Sequence, residues 1–261
     1  MPHSAPMLDE RMVANLHVHA LRLSEAHADR EPYVLFQAST IAALLDGAYE
    51  GDLTFAELAR HGDLGLGTLN GLDGEMIALD GSFYRADIEG LVHPVPASAR
   101  TPFAVVVPFE AAVDVGLPGP LDHFGLLGLI EQHSDSAACA VRVDGEFELV
   151  RARSVPRQSP PYRPLAEVAA EQHVFELHDV SGTLVGFRFP DYASGLEVVG
   201  HHLHFISEDR TRGGHVLECR PRVGRLRLDP SSDLHVELPP GVELGEGHVD
   251  EQALARIEGA G

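Results

Sequence analysis

The stretch Gly200-His201-His202-Leu203-His204-Phe205-Ile206-Ser207-Glu208-Asp209-Arg210-Thr211-Arg212-Gly213-Gly214-His215-Val216-Leu217 decides how the rest of the chain is read. Val198, Val199, Leu203, Phe205 and Ile206 suit a pleated surface, so the first part reads as a strand. Residues two apart on a strand share a face, which sends His202 and His204 together and His201 away. The polar run from Ser207 to Arg212 reads as the turn of a hairpin. If that hairpin is symmetric about the Asp209–Arg210 bond, position 204 faces position 215, and cross-strand neighbours lie about 5 Å apart. Three imidazoles then converge on one face with a coordination position left open, as a catalytic zinc site requires. Fe(II), Mn or Ni would accept the same three nitrogens. The competing reading is the polar outer face of an antiparallel sheet. A second His-x-His pair, His17-Val18-His19, has no third ligand at hairpin distance and reads as non-catalytic. His173 and His178 are oddly spaced and fall on opposite faces of a strand.

Working outward, the chain reads as α+β, with two sheet-rich mixed α/β domains and the candidate metal site on a hairpin of the second. Residues 1–31 form a polar N-terminal arm. A strand is expected at Tyr33-Val34-Leu35-Phe36, followed by a short helix capped by Ser39 and ended by Gly47. Thr54 and Glu57 make a capping box for a second helix. Asp73-Gly74 and Asp80-Gly81 are tight-turn pairs around the strand Met76 to Leu79. Phe103 to Val107 continues that sheet, and Leu121 to Gln132 has helical spacing. Ala140 to Val150 reads as two strands joined at Asp144-Gly145. Pro156, Pro160, Pro161 and Pro164 mark the boundary between an N-terminal domain, 32–158, and a C-terminal domain with its tail, 159–261. A helix at Leu165 to Gln172 and strands at His173–His178 and Thr183–Phe189 follow, with a terminal amphipathic helix at Val249 to Glu258.

Composition narrows the function. The 261 residues carry 40 acidic against 19 basic side chains, and every basic one is arginine. Without lysine there is no Schiff base to a carbonyl substrate, no pyridoxal phosphate and no P-loop contact to a nucleotide phosphate. A net charge of −21 lacks the basic footprint that nucleic acid or an anionic membrane surface demands. Cys139 and Cys219 cannot build a disulfide framework and read as buried thiols. The N-terminus has no signal-like basic and apolar regions, and no run reaches the roughly 18 apolar residues of a membrane span. A cytoplasmic protein is the expectation.

Several strings in order carry a family resemblance: Ser39 to Gly47, His61 to Met76, Arg153 to Gln158, Gly182 to Arg188, and the hairpin itself. From about residue 33 to about 240 the chain resembles the α-acetolactate decarboxylase family. The arm and the last twenty residues match poorly. The resemblance implies a two-domain, sheet-rich and usually homodimeric zinc enzyme. Its reaction converts (S)-2-acetolactate, a small anionic 2-hydroxy-3-oxo acid, to (R)-acetoin and carbon dioxide. The family's zinc-binding histidines correspond to His202, His204 and His215. Its active-site glutamate corresponds to Glu75, its active-site arginine to Arg153, and a pocket-lining threonine to Thr68. It also uses a glutamate from the C-terminal tail, for which Glu258 is the nearest candidate and Glu251 the other.

The chemistry suits these residues. Loss of carbon dioxide from a β-keto acid leaves a carbanion delocalised onto the ketone as an enediolate. With no lysine to form an iminium, a metal acting as Lewis acid is the natural substitute. Arg153 stays charged and its planar fork can orient a carboxylate. Glu75 is the candidate to deliver the proton to carbon. Two alternatives stay open: a metal-dependent decarboxylase or tautomerase of another 2-hydroxy-3-oxo acid, and a metal-holding small-molecule binding module without catalysis.

Overall fold

A computed structural model describes residues 17–22, as backbone, and 34–134, 138–231 and 233–239. The expected terminal helix, Glu251 and Glu258 lie outside the described residues.

The first sheet has eight strands: β1 (His17–Arg22), β2 (Val34–Ala38), β4 (Leu64–Thr68), β5 (Glu75–Leu79), β6 (Ser82–Ala86), β7 (Val92–Pro94), β9 (Ala104–Val107) and β15 (Asp233–Leu238). Their order is β1-β15-β2-β9-β4-β5-β6-β7, with β15 parallel to both its neighbours and the rest antiparallel. Two short strands, β3 (Leu53–Thr54) and β8 (Arg100–Thr101), pair separately. The second sheet contains β10 (Val113–Gly116), β11 (Ala138–Ser154), β12 (His173–Phe189), β13 (Gly200–Ser207) and β14 (Gly213–Ser231). An added β13–β14 pairing closes β14, β11, β12 and β13 into a ring. The helices are short: α1 (Ile41–Leu45), α2 (Phe55–Leu58), α3 (His123–His133) and α4 (Leu165–Ala169). None of them is long and apolar enough to cross a membrane.

Strand alternation builds the core. Leu35, Leu64, Leu66, Ile77, Val105 and Leu234 face one way, onto Val185, Phe187, Phe189 and Ile206 of the second sheet. The other face of the second sheet packs Val141, Val143, Phe205 and Leu226 beneath Leu126 and Ile130 of α3. The outer face of the first sheet holds Phe36, Met76 and Val106 under Phe55 and Leu58 of α2.

The architecture is α+β and sheet-rich, but several local expectations change. Thr40, not Ser39, caps α1, accepting from Ala43 N at 3.2 Å, while Ser39 has φ +65°. The expected capping box of α2 is present. Asp144-Gly145 is no turn: β11 runs unbroken through it for 17 residues. Gly145 is instead in register with Gly182 on one side and Gly224 on the other. A Cβ on Gly145 would lie 2.3 Å from the Val223 carbonyl oxygen, so the glycine row serves close strand approach rather than chain reversal. The two strands expected between His173 and Phe189 are likewise one, with Asp179 at φ +50° inside it. The proline-rich stretch is not where one sheet gives way to the other. β10 and β11 precede it yet belong to the second sheet, and β15 follows it yet lies inside the first. Local composition marks a break in the chain, whereas long-range pairing decides sheet membership.

β15 also carries a buried carboxyl. Glu237 is 4% exposed, with His235 Nε2 3.7 Å from its Oε1. Burial, reinforced by Glu57, pushes its carboxyl from 4.5 up to about 7. A raised carboxyl supports the fold fully below its ordinary value and gives that support up as pH climbs through the raised one. Glu237→Gln should therefore match the parent near pH 4.5 and exceed it above pH 7 by on the order of 1–3 kcal/mol. Urea unfolding at both pH values checks this; a difference that does not vary with pH refutes it.

Candidate metal centre

The hairpin has the register expected from its turn. His204 pairs with His215, Phe205 with Gly214 and Ile206 with Gly213. The turn closes through Ser207 N to Arg212 O, 2.8 Å, and Arg210 N to Ser207 O, 2.9 Å. Its tip is tied to the first sheet by Val92 N to Thr211 O and Gly213 N to Gly90 O, both 3.0 Å, with the Arg210 guanidinium 5.9 Å from the Tyr84 ring centre. Gly213 and Gly214 permit the close approach: a Cβ on either would stand 2.6 Å from Phe205 O or 3.0 Å from Arg153 O.

His215 sits where the ring of strands closes, in register with His204 on one side and Arg153 of β11 on the other. Antiparallel partners share a face, so His204, His215 and Arg153 form one row across three strands. His202 joins them from two residues back on β13. The three imidazole rings lie 5.1–5.4 Å apart between centres, and one nitrogen from each falls within 4.8 Å of the others. All three residues are buried. His201 faces away and meets Glu131 at 3.3 Å.

The environment prepares these nitrogens to bind a cation. His204 Nδ1 lies 2.8 Å from the Met76 carbonyl oxygen. A carbonyl only accepts, so Nδ1 carries the proton and Nε2 presents its lone pair. That Nε2 has no hydrogen-bond partner among the described residues. Burial drives the His204 imidazole down to about 3, against the Met76 bond and with Arg153 adding. His202 falls well below its ordinary value, through burial first and then His204 and Arg153. Neutral, desolvated imidazoles are what metal ligation requires.

Glu75 opens β5 and pairs with Thr68 of β4. Its Oε1 accepts from Arg153 Nη1 at 2.6 Å, and its Oε2 lies 3.6 Å from His204 Nε2. Both members of this ion pair are buried. Burial raises the Glu75 carboxyl, while Arg153 opposes the rise. Thr68 is close by, but its hydroxyl donates to the Gly74 carbonyl at 2.8 Å and so braces the turn that presents Glu75. The segment after Arg153 is joined to that turn through Gln158 N to Gly71 O, 2.6 Å. The Met76 carbonyl carried no signal in the sequence, because a backbone acceptor is invisible to residue type.

The α-acetolactate decarboxylase family profile matches residues 35–249, most of the chain and all of this site. The chain belongs to that family. Within it, the chain is 48% identical over 215 residues to the α-acetolactate decarboxylase of Methylococcus capsulatus, covering 82% of each. To the Brevibacillus brevis protein it is 45% identical over 229 residues, covering 87% of this chain and 80% of that one. The crystal structure of the family member from Bacillus subtilis strain 168 superposes with a TM-score of 0.81 at 34% identity, covering 86% of this chain and 99% of the other.

Proposed function

We propose that the chain catalyses the zinc-dependent decarboxylation of (S)-2-acetolactate to (R)-acetoin and carbon dioxide. The observation that carries this reading is the buried Arg153–Glu75 pair set 3.6 Å from His204 in a chain of this family. His202, His204 and His215 would hold the ion, and their three buried nitrogens, within 4.8 Å of one another, fit it. When bound, it supplies Lewis-acid polarisation of the substrate's oxygens as charge develops.

The protein's own groups divide the remaining work. Arg153 orients the substrate carboxylate through its planar fork. To do so it gives up Glu75, and a buried Glu75 deprived of its cation shifts further toward the protonated form. When the bond from carbon to the carboxylate breaks, the electron pair stays on the substrate and spreads onto its ketone. One proton must then be added at that carbon, and Glu75 is the group we assign to deliver it. Thr68 keeps the Gly74 turn, and with it Glu75, in register. We assign a tail glutamate, Glu258 or else Glu251, to close over the site. We further read the protein as a cytoplasmic homodimer with no nucleic-acid or membrane partner.

The test is a colour assay for acetoin after incubation with racemic acetolactate, with and without a chelator. Product that the chelator abolishes and added zinc restores supports the reading. Product indifferent to the chelator removes the metal from it, and tight substrate binding without product favours the binding module.

A further inference from the structure

We propose that Asp73 is a positioning residue for the decarboxylation: its carboxylate holds the turn that carries Glu75 in place while Glu75 is parted from Arg153. This rests on the proposed function, in which the substrate carboxylate displaces Glu75 from the guanidinium. In the resting site the Glu75–Arg153 pair, 2.6 Å, joins a turn of the first sheet to the end of β11 in the second. Once that pair opens, other contacts must keep Glu75 within reach of the substrate carbon.

The turn, residues 69–74, is tied down at two points. At Gly71, the backbone N donates to Tyr49 O at 2.8 Å and the backbone O accepts from Gln158 N at 2.6 Å. The segments pass so close there that a Cβ on Gly71 would lie 3.0 Å from Gln158 O. The second point is Asp73. Its Oδ1 meets Arg85 Nη1 of β6 at 2.7 Å, and its Oδ2 faces Arg157 Nη1 at 3.7 Å. Arg85 holds the turn from the neighbouring strand, and Arg157 holds it from the segment that runs on from Arg153. Asp73 stands two residues before Glu75, and Arg157 four residues after Arg153. The same two segments are therefore joined twice with the same polarity, carboxylate on the turn and arginine on the segment. The inner pair is buried, whereas in the outer pair the Asp73 side chain is 27% and that of Arg157 69% exposed. A carboxylate that enters the buried site takes Arg153 and leaves the outer pair standing. An exposed ion pair adds little to stability. Its value here is geometric, because a displacement of about 1 Å at a reacting group can cost about a hundredfold in rate.

The experiment measures kcat and KM for acetoin formation, zinc per chain and melting temperature on the full-length chain. Asp73→Asn should lower kcat about 10- to 100-fold, with KM changed by less than about threefold. Zinc content should stay the same, and the melting temperature should move by no more than about 4 °C. Arg157→Gln should lower kcat in the same way, and Arg157→Lys, which keeps a cation within reach, should recover most of it. Because Asp73 acts through Glu75, adding Asp73→Asn to Glu75→Gln should cost no further turnover. If Asp73→Asn folds poorly, the two variants at the exposed Arg157 side chain decide. Parental kcat in Asp73→Asn overturns the proposal, as does a loss accompanied by loss of zinc, or a full further loss in the Glu75→Gln background. Parental turnover in Glu75→Gln overturns the assigned proton donor as well. An inactive Glu75→Gln beside a fully active Asp73→Asn removes the positioning role alone.

Discussion

His204→Ala should lose stoichiometric zinc at the hairpin and acetoin formation together, with turnover falling at least about a thousand-fold. The size follows from the several kcal/mol of transition-state stabilisation that a Lewis acid supplies, at 1.36 kcal/mol per factor of ten. His204 is tied into the site in two further ways. Its tautomer is set by the Met76 carbonyl, 2.8 Å away. Its Nε2 also lies 3.6 Å from Glu75 Oε2. Alanine leaves two imidazoles, too few for the open three-nitrogen geometry. It also strands the Met76 carbonyl, at about 1–3 kcal/mol of stability. His204→Gln, whose amide can donate to that carbonyl, should recover part of the stability without the zinc. Thermal melts, metal analysis and the acetoin assay read these effects separately. Activity that survives without metal sinks the zinc mechanism.

How much of this could be read from the residues depends on the range of the contact. The hairpin register followed from one polar turn, because a short symmetric loop relates its two strands residue by residue. The capping box at Thr54 and Glu57 was equally local. Glycine beside aspartate misled at Gly145, because the same pair marks a turn in an isolated chain and a close strand crossing in a crowded sheet. Only the neighbours Gly182 and Gly224, from distant segments, distinguish the two. The insertion of β15 between β1 and β2 has no local signature, and with it goes the register that sets His19 beside His235. Glu75 and Arg153 illustrate the same limit at the site. They are 78 residues apart in sequence and 2.6 Å apart in space. Nothing near either residue announces the other; family resemblance named both, and the meeting of the two sheets joins them.

Glu75→Gln should retain zinc at the hairpin and lose turnover by about 10² to 10⁴, the usual worth of a positioned acid or base. Glutamine keeps the shape and an oxygen that accepts from Arg153, so Arg153 stays solvated by a partner and the metal set is untouched. What it removes is the transferable proton. The loss should therefore appear in kcat, with KM changed much less, since we assign substrate anchoring to Arg153 and the ion. Unchanged turnover would remove Glu75 from proton delivery; loss of zinc with turnover would make its role structural. The charge balance explains why this carboxyl stays close to a cation. A protein of net charge −21 with no lysine repels an anionic substrate everywhere except where positive charge is concentrated. In the resting site Glu75 neutralises Arg153, which keeps a buried guanidinium from standing unpaired. In the mechanism we propose, an arriving carboxylate replaces Glu75 on Arg153, and the displaced acid group, now without a counter-charge, takes up the proton that the reaction consumes. On this account the ion pair is exchanged rather than lost, and substrate binding itself arms the proton donor.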